Sequence, residues 1–212
     1  MRSTLSRVLT LGTSRACLAV ARSLTARGIA VDVAISSRRD PVRYSRDVHA
    51  VHWVPDFHAS PEHFLDRLLT LLESQHYELI IPTSDTPLAG IRRFYDAIRE
   101  YTQVSCPPPP VLDRVLNKEE TLRVARECGV PVPKTWFLED VRASGRVEDL
   151  AFPLIAKPSR KQNEGLFKTL RIDNDRELEA AFRDHRLGRE ILLQTYCPGE
   201  GVGVETVFHK GE

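Results

Sequence analysis

Short apolar runs alternate with amphipathic segments through the first half of the chain, and this alternation restricts the fold more than any other feature. Val8–Leu11 is predicted to be a strand, followed by a helix over Ser14–Ala26 with Leu18, Ala21 and Leu24 on one face and Gly28 as its C-cap. Ala30–Ile35 and the shorter Ala50–Val54 are predicted as the next strands. Ser60 is expected to cap a helix with Pro61 at its first position and Glu62 in its first turn. Phe64, Leu65, Leu68, Leu69 and Leu72 form the buried stripe of that helix. Leu79–Pro82 is a further strand, then a helix from about Pro87 to Tyr101, then a strand over Thr102–Cys106. Alternating β and α elements predict an open, largely parallel sheet with helices on both faces. Such sheets bind ligands at the carboxyl ends of their strands. Here those ends are Gly12-Thr13-Ser14, Ser36-Ser37-Arg38-Arg39 and Thr83-Ser84-Asp85.

The run Cys106-Pro107-Pro108-Pro109-Pro110 cannot continue a sheet and marks the expected boundary between domains 1–107 and 108–212. A helix then opens at Asn117, with Glu120 three residues on, and ends at Gly129. Beyond Pro131 and Pro133 the pattern changes to strands over Thr135–Leu138, Leu154–Lys157, Thr169–Ile172, Ile191–Tyr196 and Val202–Phe208. A helix carrying Leu178, Ala181 and Phe182 lies among them, which predicts an α+β lobe with an antiparallel sheet.

Composition excludes several classes. The net charge of the 212 residues is +1, with acids and bases interspersed, so no nucleic-acid footprint is present. No apolar run approaches the roughly 18–20 residues of a membrane span. Cys17, Cys106, Cys128 and Cys197 show no metal-binding spacing and read as buried thiols in a reducing compartment, so the expected location is cytoplasmic. Met1 to Val31 contains no acid and five arginines, which also suits a transit peptide; continuation of the same alternating pattern favours the strand reading.

Four features carry chemistry. Lys157 ends the apolar run from Phe152, at a sheet edge where its ammonium can neutralise phosphate oxygens. Pro158–Lys168 surrounds Gly165 with Arg160, Lys161 and Lys168, a cationic loop able to fold over phosphates. Ile191-Leu192-Leu193-Gln194-Thr195-Tyr196-Cys197-Pro198-Gly199 offers an apolar slot with a hydrogen-bonding edge for a purine. Lys118 opposes the dipole at the start of its helix, a mild cost that a nearby anion would offset. Taken singly, each has an ordinary structural explanation: a snorkelling lysine, a solvated loop, a core strand ending in a turn, a surface lysine.

The order and spacing of NKEETLRVARECGVPVPKTW, FPLIAKPS, a polar loop and ILLQTYCPGEGVGVETVF resemble the ATP-grasp superfamily, most closely its carbamoyl-phosphate-synthase-like and carboxylate–amine ligase members. The resemblance covers nearly the whole chain. It implies a Rossmann-like α/β domain followed by an ATP-grasp lobe. It also implies ATP as cofactor, with Lys118 and Lys157 as its phosphate cations. Ser159, Arg160, Lys161 and Gly165 would belong to the phosphate-covering loop. Gln194, Thr195 and Cys197 would form the hinge that reads adenine, where the family's first position is usually glutamate, and Glu200 or Glu205 would approach the ribose. Thr13, Ser14, Ser84 and Asp85 would contact the substrate. The family's magnesium ligands lie on later strands, so Mg2+ would be held by no residue of this chain. The chain is accordingly expected to be truncated, to be inactive alone, and to need a second chain or a homo-oligomer to complete the fold. The implied reaction activates a carboxylate as an acylphosphate and joins it to an amine.

Two other readings stay open. Arg38 and Arg39 after the second strand suit the 2′-phosphate of NADP in an oxidoreductase, although the first turn lacks GxGxxG. The chain also suits a non-catalytic module that binds nucleotide or a partner chain.

Overall fold

A computed structural model describes residues 7–12, 15–144, 150–159, 169–183 and 190–204. Contacts divide the chain into two compact units, Met1–Val115 and Leu116–Glu212.

In the first unit, strands β1 (Arg7–Leu11), β2 (Ala30–Ile35), β3 (Ala50–Trp53), β4 (Leu79–Pro82) and β5 (Gln103–Val104) form one sheet in the order β3-β2-β1-β4-β5. Every neighbouring pair is parallel. The central strands are buried almost throughout because helices cover both faces of the sheet. On one face α1 (Arg15–Thr25) packs Cys17 against Val33, Ile35 and Val42. On the other, Leu9, Leu11, Ala34 and Ile80 meet Phe64, Leu68, Leu71 and Leu72 of α2 (Pro61–Ser74) and Ala89 and Ile91 of α3 (Asp85–Arg93). β1 is bonded on both sides, so Val8–Leu11 is a core strand of the first sheet.

Four local expectations are corrected. The helix expected from Pro87 to Tyr101 is two, α3 and α4 (Tyr95–Arg99), because Phe94 leaves helical geometry and turns its ring to within 6.3 Å of Phe57 in the core. Ser60 stands at the N-cap of α2, but its hydroxyl meets His63 Nδ1 instead of a helix amide. Leu71 joins the buried stripe of α2, while Leu65 and Leu69 pack only at its margin. Of the cysteines, Cys17 is buried and Cys106 half-buried, whereas Cys128 and Cys197 are exposed at the ends of a helix and a strand.

α5 (Pro109–Leu116) follows the proline run, whose last two residues open it as prolines can, and the second unit begins at its last residue. Asn117 caps α6 (Lys118–Glu127) by accepting the Glu119 amide, and Gly129, at φ +72°, closes it. The amides of Gly129 and Val130 return to Arg126 and Ala125, a Schellman closure. Strands β6 (Thr135–Phe137), β7 (Leu154–Pro158), β8 (Leu170–Ile172) and β9 (Ile191–Thr195) form an antiparallel sheet ordered β6-β9-β7-β8. Leu138 belongs to no strand. It opens α7 (Leu138–Ser144) and, with Val141, packs on the sheet beside Leu178 and Ala181 of α8 (Asp175–Arg183). Gly201–Val204 form no strand, with Val202 and Val204 exposed; the rest of the strand expected to Phe208 lies outside the described residues. No helix among the described residues is long and apolar enough to cross a membrane.

Asp32 of β2 is fully buried at the amino-terminal side of the first sheet. Its carboxylate accepts from Tyr77 (2.6 Å) and Arg7 (2.7 Å), and meets His49 Nδ1 (2.9 Å) and His52 Nε2 (3.0 Å). Burial alone pushes its pKa up; the hydrogen bonds from Tyr77, His52, His49 and Arg7 outweigh that and hold it below the usual carboxylate range. The folded state therefore binds fewer protons than the unfolded one. The resulting stability is present above the pKa of an unfolded aspartate, about 3.9, and is lost as pH falls through the lower folded value. Asp32→Asn is expected to destabilise the first unit by about 3 kcal/mol at pH 7, since it leaves Arg7 without its buried partner. Denaturant melts between pH 7 and pH 3 should show the gap between wild type and variant closing at the acid end.

Candidate functional site

Two places have the geometry of a binding site, one in each unit. In the first, the strand order reverses between β1 and β4, and a parallel sheet opens a crevice at such a point. Gly12 ends β1 there with φ +132°. A Cβ on it would lie 2.5 Å from Thr83 Oγ1, so only glycine fits. Thr83 closes the end of β4 against β1, donating both its amide and its hydroxyl to Leu11 O. A cavity of about 80 Å³ lies alongside, lined by Gly12, Ser36, Asp56, Phe57, Ser84 and Thr86 among others. Ser84 occupies the N-cap of α3 with no capping bond from its hydroxyl. Asp85 is exposed in the first turn of α3. Thr13 and Ser14 lie outside the described residues. Ser36 was recognisable as a strand end. Asp56 and Phe57 carried no signal, since only the fold brings the segment after β3 to this crevice.

In the second unit, pairing across the antiparallel sheet puts Thr135, Phe137, Ile155, Lys157, Leu192 and Gln194 on one face. Gln194 stands opposite Thr135 and Ile155, and Leu192 opposite Phe137 and Lys157. The helices α7 and α8 cover the other face, through Leu154, Ala156, Ile191 and Leu193. The face holding Lys157 is thus an apolar floor with a cation at one end and an amide toward the other. Phe137 and Ile155 were missed as residues of this face, because strand periodicity does not say which face a ligand would use; Leu192 belongs to the run already read as an apolar slot.

Lys118 opens α6 beside the end of β7. Its amide donates to Ser159 O (3.0 Å) and its ammonium to Pro158 O (2.8 Å). Ser159 is buried and anchored through its amide to Glu190 O. Lys157 is half-buried, and burial first, then the charge of Lys118, push its pKa down. The structure therefore brings Lys118 to the end of β7, against Pro158, the chain neighbour of Lys157. Arg160, Lys161 and Gly165 of the cationic loop fall outside the described residues.

At the far end, Gln194 is buried and its Nε2 donates to Thr135 Oγ1. The amides of Thr195 and Tyr196 are taken up by Lys134 O and Pro153 O. Cys197 follows, exposed, and its amide has no backbone partner among the described residues. Glu200 is exposed beyond Gly199, and Glu205 lies outside the described residues. No group of three or more His, Cys, Asp or Glu side chains among the described residues could hold a metal ion.

The depressed Lys157 pKa has a stability consequence. The unfolded chain binds the proton more tightly, so the second unit is penalised at neutral pH and regains that stability as pH rises toward the ordinary lysine range. Lys157→Met is expected to raise the unfolding temperature at pH 7, with the gain shrinking by pH 10; calorimetric melts at the two pH values would show it.

No protein-family model matches the sequence, and no curated protein matches it. Solved structures do. The L-amino acid ligase of Bacillus licheniformis is 15% identical with a TM-score of 0.70, over 92% of this chain and 45% of that one. The biotin carboxylase domain of the Hydrogenobacter thermophilus 2-oxoglutarate carboxylase, a dimer solved with MgADP, ADP and bicarbonate, is 19% identical with a TM-score of 0.70, over 92% and 45%. The carboxyaminoimidazole ribonucleotide synthase of Aspergillus clavatus, complexed with ATP, is 14% identical with a TM-score of 0.66, over 91% and 47%. The chain spans about half the length of each. At these identities the likeness is one of fold: the chain is a parallel α/β unit followed by an antiparallel α+β unit that shares part of the ATP-grasp fold of these structures.

Proposed function

We propose that this chain supplies the ATP-phosphate and adenine contacts of an ATP-dependent ligase that activates a carboxylate and joins it to an amine. The observation that carries the reading is the convergence of Lys118 and Lys157 at one end of the apolar face that also holds Gln194. A half-buried ammonium with a second lysine beside it gives positive charge at the end of a strand, and a polyphosphate is the kind of ligand such charge recognises. The half-buried side chains of Phe137 and Ile155, on the same face as buried Leu192, suit the apolar ring of a purine.

In this reading the two lysines neutralise the phosphates, while Ser159, Arg160, Lys161 and Gly165 form the loop that closes over them. Gln194, Thr195 and Cys197 take the adenine edge, and Glu200 approaches the ribose. A carboxylate oxygen attacks the γ-phosphorus, the bond to the ADP oxygen breaks, and an acylphosphate forms. An amine then displaces inorganic phosphate and loses a proton, giving the amide. The protein's part is positioning and charge neutralisation. Thr13, Ser14, Ser84 and Asp85 are the residues proposed for polar contacts to the carboxylate and amine substrates. Magnesium is the expected companion of ATP, but the described residues do not fit a metal site, so no step here runs through it.

Calorimetric titration of the chain with ATP, with and without magnesium, tests the reading. Lys157→Ala and Lys118→Ala are each expected to weaken binding by about tenfold or more, the worth of one charge-assisted contact. A folded wild-type chain that binds no ATP, or variants that bind as wild type does, would overturn it.

A further inference from the structure

We infer that Thr135 is a positioning residue that sets which end of the Gln194 amide faces the nucleotide, and thereby makes the cleft selective for adenine over guanine. The inference rests on the nucleotide cleft proposed above.

Hydrogen-bond direction carries the argument. The Thr135 hydroxyl lies 2.8 Å from the backbone carbonyl of Pro133, two residues back. A carbonyl can only accept, so the single hydroxyl proton is committed to Pro133. The oxygen of Thr135 is left with lone pairs alone toward its other neighbour. That neighbour is the Gln194 amide at 3.0 Å, and only the NH2 end of an amide can meet a lone pair. The oxygen end, Oε1, is therefore turned away from Thr135. Cross-strand pairing keeps this in register: Thr135 stands opposite Gln194 and β7 flanks it through Ile155. Gln194 is only 7% exposed, so it cannot exchange this arrangement freely for water.

The relay from Gln194 through Thr135 to Pro133 leaves Oε1 as the acceptor this side chain presents. Adenine offers an exocyclic NH2 at the position where guanine offers a carbonyl oxygen. An acceptor facing that position attracts adenine and repels guanine. A glutamine without the relay can rotate its amide by half a turn and serve either base.

The test measures dissociation constants for ATP and GTP by calorimetry for wild type, Thr135→Val and Thr135→Ser. Wild type is expected to prefer ATP. Thr135→Val keeps the shape and removes the relay, so the preference for ATP should fall by about tenfold, the scale of one misdirected buried hydrogen bond. Thr135→Ser keeps the hydroxyl and should restore the wild-type ratio, which a purely structural effect of the methyl group would not. If Thr135→Val is unfolded by circular dichroism, Thr135→Ala is read in the same way. An unchanged ratio in the hydroxyl-free variant would overturn the inference. A wild type that binds ATP and GTP equally would also overturn it, while leaving the phosphate site intact. A folded wild type that binds neither nucleotide would overturn the cleft and this inference together.

Discussion

The carboxylate of Asp32 has no contact with water, and a charge in that position survives only when its lone pairs are filled from all sides. Arg7 comes from β1, His49 and His52 from the approach to β3 and from β3 itself, and Tyr77 from the segment before β4. One side chain thus ties together the amino-terminal side of the parallel sheet. With that side locked, the carboxyl ends of the strands are left for the crevice around Gly12 and Ser84.

Lys157 and Lys118 present the opposite electrostatic situation. Around Asp32 the charge of the carboxylate is answered by Arg7, and the site is closed. At the end of β7 two cations stand near one another, burial disfavours the charged form of Lys157, and Lys118 disfavours it further. The contacts of Lys118 with Pro158 and of its amide with Ser159 hold this arrangement in place. A balanced buried charge is a device of the fold. A half-buried cation at the end of a strand is where a charged ligand finds a counter-charge, and that contrast directs the functional proposal to β7 rather than to Asp32.

Much of this architecture was legible because strand and helix periods differ and because parallel strands are apolar on both faces. Ala30–Ile35 is an instance, recognisable even though Asp32 sits in its centre. What escaped were places where tertiary contacts overrule local preference. Phe94 breaks a helix because its ring is worth more in the core beside Phe57 than on a continuous helix. Leu138 reads as the end of a strand, yet it starts a helix because its side chain and that of Val141 are buried against the second sheet. Ser60 has the right identity and position for a cap, but its hydroxyl finds His63.

The sequence by itself determined the elements, the change from parallel to antiparallel pattern, and the chemical types available: a lysine ending an apolar strand, a second lysine opening a helix, a glutamine before a proline–glycine turn. All of these are properties of neighbouring residues, and periodicity and composition carry them. Only the tertiary structure decided which of those groups meet. Lys118 and Lys157 are far apart in the chain, and their approach depends on α6 docking at the end of β7. The direction of the Gln194 amide depends on Thr135, which reaches it only because β6 pairs with β9. Long-range pairing sets such distances and hydrogen-bond directions, and no local pattern encodes them.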